Sequence, residues 1–323
     1  MNRRHFVGLA AAGSAGGYAA IKLGQKSERP IPEGPPGNSV VAVLKAESYS
    51  RDLAALMLQG ARACGLDVRG KSVLLKPNLV EFDAGTCINT DARVIAAAYE
   101  TMRQLGAAEV RIGEGPGHRR DTYDLAEQAR YFDSIPGFER LFTDLNRDDV
   151  SAAGQLAGES PFYFPNTVLR ADIIVSLAKM KTHHWAGATL SMKNLFGLVP
   201  GSVYGWPKNK LHYLGIAESI VALSRRFRRT FAIVDGIVAM EGNGPIQGKP
   251  KPAGVLVMGG DLLSVDATCC RIMGIDPLKV EYLRLGADMG HVNAERIEQL
   301  GEPIRSVQTR FELIDKFRNL RLA

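Results

Sequence analysis

Lysine, histidine, asparagine and acidic side chains recur directly after short apolar runs in this chain. Lys76 and Asn78 follow residues 73–75, Glu114 and His118 follow residues 110–112, Lys179, Lys181, His183 and His184 follow residues 173–177, and Asp235 follows residues 231–234. An ammonium neutralises an anion, and an imidazole moves a proton near neutral pH. A lysine among apolar neighbours has its pKa lowered and becomes a nucleophile or tether. Lys193, in Leu190-Ser191-Met192-Lys193-Asn194-Leu195-Phe196, has that setting. Lys76, Lys181 and Arg119 are the candidates for holding an anion, His118 and His183 for moving protons, and His212 for proton transfer or metal ligation.

Each of these has a plainer reading: Asn78 as a helix cap, Asp235 as a turn residue, His184 as a satisfied core histidine. The lysines could equally sit in an ion-pair network with Asp91, Glu114, Asp235 and Glu241. Four polar strand ends together favour a common cleft, because loops after strands are where a rigid scaffold presents functional groups.

The elements that would position these groups alternate. Residues 40–44, 72–75, 109–112, 173–177, 231–234 and 254–258 read as strands, and residues 51–64, 91–105, 122–132 and 265–273 as helices. Residues 161–168 read as irregular or strand-like, residues 211–224 as an amphipathic helix, and residues 311–320 as amphipathic. Strand and helix in turn imply crossover units, hence an α/β fold with largely parallel sheets, flanking helices and two lobes around a cleft.

Composition agrees with a folded protein: 323 residues, 46% hydrophobic and 23% charged, supply ample core. The net charge of +6 is scattered apart from Arg225, Arg226, Arg228 and Arg229, which suit a helix C-terminus and do not make a nucleic-acid footprint. The four cysteines form no C-x-x-C pair, so iron–sulfur and zinc-ribbon sites are not expected, nor is a disulfide framework. Gly113-Glu114-Gly115-Pro116-Gly117 lacks the phosphate-loop pattern.

Asn2-Arg3-Arg4-His5-Phe6 followed by the mildly apolar residues 7–21 reads as a twin-arginine signal, and residues 29–37 as a Pro/Gly-rich linker. The expected division is a signal and linker over residues 1–38 and one α/β catalytic or binding domain over 39–323. The expected location is periplasmic or extracytoplasmic, with the twin-arginine translocase as a partner during export and no transmembrane helix beyond a retained signal anchor.

The chain resembles the family catalogued as domain of unknown function 362 through Lys76-Pro-Asn, Asp91 before a helix, Gly106-Ala107 leading into residues 110–114, Lys179-x-Lys-x-His183, Lys193-Asn-Leu-Phe-Gly197, His212, and Asp235 followed by Glu241-Gly-Asn-Gly-Pro245. It lacks the ferredoxin-like module of many members. A fainter resemblance, in the order of Asp91, Gly117-His118-Arg119, His183, Lys193, Pro200-Gly201 and His212, links it to the nickel-pincer lactate racemases. That resemblance implies His118 and His183 as the acid–base pair, Lys193 as the tether of a nickel-pincer nucleotide, and His212 as the metal ligand. Lys76, Asn78, Asp91, Lys181 and Asn194 are the remaining candidates for cofactor binding.

Two functions follow. One is an enzyme, racemase- or isomerase-like or redox, acting on a small organic acid or similar polar substrate, with a preloaded cofactor. The other is a noncatalytic periplasmic anion- or metal-binding protein.

Overall fold

The computed structural model describes residues 31–117, 120–206 and 208–322. The twin-arginine segment and His118 and Arg119 therefore lie outside the described residues. Runs rich in Val, Ile and Leu suit a pleated surface covered on both faces. They form β1 (Ser39–Lys45), β2 (Ser72–Pro77), β3 (Glu109–Glu114), β4 (Phe142–Asp144), β5 (Val150–Ala152), β6 (Tyr163–Pro165), β7 (Ile173–His183), β8 (Gly187–Thr189), β9 (Thr230–Asn243), β10 (Gln247–Gly259) and β11 (Ile297–Gly301). Nine of these make one sheet in the order β11-β1-β10-β9-β7-β2-β3-β4, with β8 paired to β7. Within that sheet only β10 and β8 run antiparallel to their neighbours, so the α/β, largely parallel expectation holds.

Alternation along each strand sends successive side chains to opposite faces. Val73, Leu75, Val175 and Leu177 face a core covered by α1 (Leu53–Ala63) and α2 (Ala92–Gln104). Leu74, Ile174 and Ala178 face the other core. The residues described form one compact unit with a core on each face of the nine-stranded sheet, so the expected two lobes are not observed.

Local chemistry sets the helices. The Asp91 carboxylate caps α2 by accepting from Arg93 N at 2.9 Å, and Val94, Ile95, Ala98 and Met102 give it a buried stripe. Residues 122–132 are not one helix: α3 (Thr122–Gln128) ends before Arg130, whose φ of 62° breaks the helical path. Beyond β8 come the single-turn helix α4 (Ser191–Asn194), then α5 (Asn209–Tyr213), α6 (Ile216–Arg226) and the buried α7 (Leu262–Ile272). Within the amphipathic stretch 311–320, Asp315–Leu320 forms a 3-10 helix.

Three strands outrun their apolar runs, and β7 carries Lys179, Lys181 and His183 within it. β9 and β10 form a long hairpin, and β10 includes Pro250 and Pro252, residues that ordinarily argue against a strand. The reason is register. β1 pairs with β10 only from Val255 to Gly259, so residues 247–252 form an open edge on which no neighbour needs the missing N–H.

Candidate functional site

The carboxyl ends of β2, β3 and β7, with α4, α5 and the β9–β10 turn, enclose a cavity of about 190 Å³. Its floor is a continuous hydrogen-bonded network. Lys76 leaves the last turn of β2 and donates to Glu114 Oε2 at 2.5 Å, to Pro77 O at 2.8 Å and to Asn194 Oδ1 at 3.1 Å. Glu114 in turn accepts from Leu79 N at 3.2 Å and Gly115 N at 2.8 Å. Asn194 closes the circuit by donating to Lys76 O at 3.0 Å and Ser176 Oγ at 3.1 Å. Desolvation pulls the Lys76 pKa down and Glu114 opposes that. The pair is buried and behaves as one unit.

This network also requires Gly197. A Cβ there would fall on the Glu114 carboxylate and within 2.6 Å of Lys76 Nζ.

Three further lysines line the cavity, and none has a carboxylate partner among the described residues. Lys181 donates to Asn78 Oδ1 at 2.7 Å, Ile88 O at 2.8 Å and Pro245 O at 3.3 Å. Lys208 donates to Asn146 Oδ1 at 2.5 Å and to Val199 O. Half-buried Lys193 has no hydrogen-bond acceptor among the described residues, and its Nζ sits 3.6 Å from the centroid of the Phe196 ring. Burial brings each of the three amines down to about 7, with Lys179 adding to the effect at Lys181 and Lys76 at Lys193.

The imidazoles are held in opposite tautomers. His183 Nδ1 accepts from Trp185 N at 3.0 Å and Ala186 N at 3.2 Å, so in the neutral ring the proton sits on Nε2. His212 Nδ1 lies 2.9 Å from Lys208 O, and His184 Nδ1 lies 2.8 Å from Gly244 O. A carbonyl only accepts, so these two rings carry the proton on Nδ1 and keep a lone pair on Nε2. Burial, and then Lys193, push the His183 pKa well down; burial also lowers that of His212. All three rings line the cavity.

Of the residues singled out from sequence, Lys76, Asn78, Lys181, His183, Lys193, Asn194 and His212 meet in this cavity wall. Asp91 does not. Its carboxylate is taken up by the α2 cap and by Arg93, whose Nη2 is 2.8 Å away, so a cofactor-binding role is replaced by a structural one. Nearby, Lys179 and Asp235 form a second buried pair at 2.8 Å, to which Tyr49 donates at 3.0 Å. Neither belongs to the cavity lining. Lys208 was not singled out, because a lysine in Gly205-Trp206-Pro207-Lys208-Asn209 reads as a solvated loop residue. No group of three or more His, Cys, Asp or Glu among the described residues could hold a metal. His212 thus offers one nitrogen donor and not a protein-built metal centre.

The family described as Domain of unknown function (DUF362) matches residues 73–271, more than half of the chain and nearly every residue of the floor. The chain belongs to the DUF362 family. The same stretch of this DUF362 protein carries the two buried ion pairs and all of β7. A curated relative, the thylakoid-associated protein sll1697 of Synechocystis sp. (strain ATCC 27184 / PCC 6803 / Kazusa), is 28% identical over 266 residues, 77% of this chain and 79% of that protein. Among solved structures, the lactate racemase apoprotein of Thermoanaerobacterium thermosaccharolyticum superposes with a TM-score of 0.48 at 13% identity, covering 75% of this chain and 61% of that one. A Thermotoga maritima protein gives 0.45 at 14% identity, covering 71% and 60%. Among the described residues no helix is long and apolar enough to cross a membrane.

Proposed function

We propose that this DUF362 protein is an enzyme acting on a small organic acid or similar polar anion in the lysine–histidine cavity. The observation that carries this reading is the trio Lys181, Lys193 and Lys208, gathered at one cavity with no salt bridge of their own among the described residues, where the Glu114 carboxylate, already paired with Lys76, only partly offsets their desolvation. Desolvated ammonium groups gain most from an anion brought among them, since charge–charge attraction rises as water leaves. A bound carboxylate raises the pKa of each amine, so above about pH 7, where the free amines are largely uncharged, it binds with proton uptake.

His183, neutral with its proton on Nε2, is suited to donate a hydrogen bond to the substrate, and His212, with its lone pair on Nε2, to accept a proton. Lys193 is the group available as nucleophile or tether, because its amine has no acceptor among the described residues and is largely uncharged above neutrality. Were a nickel-pincer nucleotide bound, Lys193 and His212 would hold it and the group would supply hydride chemistry.

The test is a thermal-shift panel of small carboxylates combined with intact-mass analysis of protein from its own producer. Stabilisation by carboxylates, with a covalent mass excess lost in Lys193→Ala, is expected. Stabilisation without adduct or turnover would make the protein a noncatalytic anion-binding protein, and no stabilisation by any anion would reject the pocket's assignment.

The reading extends to export by the twin-arginine route, motivated by Arg3-Arg4 ahead of the apolar stretch. Replacing both arginines with lysine should leave the protein in the cytoplasmic fraction; unchanged extracytoplasmic recovery would reject the route.

A further inference from the structure

We propose that Asp266, which lies outside the cavity lining, is the positioning residue that aims the Lys193 amine into the pocket. The proposal rests on the reading of Lys193 as the pocket's reactive group. Lys193 stands on α4, a four-residue helix that runs directly into a 3-10 turn over Leu195–Leu198. Two short turns close too few hydrogen bonds to fix their own geometry, so the direction must be imposed from outside.

Two anchors impose it. At the far end, Asn194 is tied to Lys76 O and Ser176 Oγ. At the near end, the fully buried carboxylate of Asp266, on α7, accepts from Ser191 N at 2.8 Å, Ser191 Oγ at 2.5 Å and Met192 N at 3.1 Å. Tyr282 Oη holds the same carboxylate from behind at 3.3 Å. Lys193 lies between the two anchors.

A carboxylate is costly in this setting. Burial pushes the Asp266 pKa up to about 7 against donors that favour its charged form, and α7 would need no acid at this position to fill the core. Only an acceptor-only group satisfies all of these donors together. In Asp266→Asn, one oxygen becomes an NH2 that faces either Met192 N–H or Ser191 N–H, donor against donor. The start of α4 must then shift.

The experiment is acetylation of the intact protein with a water-soluble amine-reactive ester, read at Lys193 by peptide mass spectrometry across about pH 5 to 10. In the wild type, Lys193 should reach half-reactivity near 7, well below the ordinary lysine value of 10.5. Asp266→Asn should move the midpoint toward 10.5 and so cut labelling at mildly alkaline pH about tenfold for each unit that the midpoint rises. Thr268→Ala, which removes a buried hydroxyl bond to Ser264 O on the same helix, should lower the melting temperature yet leave the Lys193 profile unchanged.

A folded Asp266→Asn protein with the wild-type profile overturns the proposal. Should Asp266→Asn fail to fold, Ser191→Ala removes only the hydroxyl contact and must still reduce labelling, by about threefold; an unchanged rate is then the overturning result. A wild-type midpoint near 10.5 overturns the reactive-amine reading itself, and this proposal with it.

Discussion

Lys181 Nζ and Asn78 Oδ1 meet at 2.7 Å, joining the end of β7 to the turn after β2 across the cavity floor. The contact orients the Asn78 amide, which gives its own Nδ2 hydrogen to Asn194 Oδ1 at 3.2 Å. Lys181 is thereby surrounded by carbonyl oxygens alone, so dipoles, not a counter-ion, face its charge.

That arrangement makes its contribution to stability depend on pH with a definite sign. The folded amine titrates near 7 and the unfolded one at 10.5, so between those values the unfolded chain binds more protons and stability rises with pH. Below about 7 both states are protonated and the cost of burying the charge is fully present. Lys181→Met should therefore gain most relative to wild type below pH 7, and the difference should shrink as pH approaches 10.5. Urea midpoints of the two proteins across that window measure it; a gap that widens with pH would contradict the assignment.

Glu114→Gln should destabilise the fold by about 3 to 5 kcal/mol, because it leaves the Lys76 ammonium buried without its counter-charge. Denaturant unfolding monitored by circular dichroism checks it.

Gly197→Ala introduces a methyl into the Lys76–Glu114 contact. Overpacking of this kind costs about 1 to 3 kcal/mol, and here it also parts the floor. A lowered melting temperature accompanied by lost carboxylate stabilisation is expected; a lowered melting temperature alone would mean that the floor is not needed for binding.

Asp235→Asn separates structure from function. It strands Lys179 and weakens the Tyr49 contact, with an expected loss of about 3 kcal/mol, yet both residues lie off the cavity. Lys193 labelling in the folded variant should match the wild type.

Much of this was legible in sequence because parallel strands end on one side of a sheet. Once residues 73–75, 110–112 and 173–177 read as strands, Lys76, Glu114 and Lys181 had to gather. The plainer ion-pair reading also held in part, since Glu114 and Asp235 do partner Lys76 and Lys179. Other features had no local signal. An aspartate ahead of a helix looks the same whether it caps or binds, so Asp91 misled. Lys208 becomes buried only through the fold of its loop, where a φ of 69° turns it inward. The first half of β10 was hidden by prolines that only its edge position tolerates.

Because Lys76, Glu114, Asn194, Asn78 and Lys181 form an unbroken chain of bonds, β2, β3 and β7 are stapled together beneath the cavity. Such a base has no play. Any widening that admits a bulkier guest falls to the rim, where Trp185 is 53% exposed and separates this chamber from a neighbouring hollow lined by Tyr282 and Phe317.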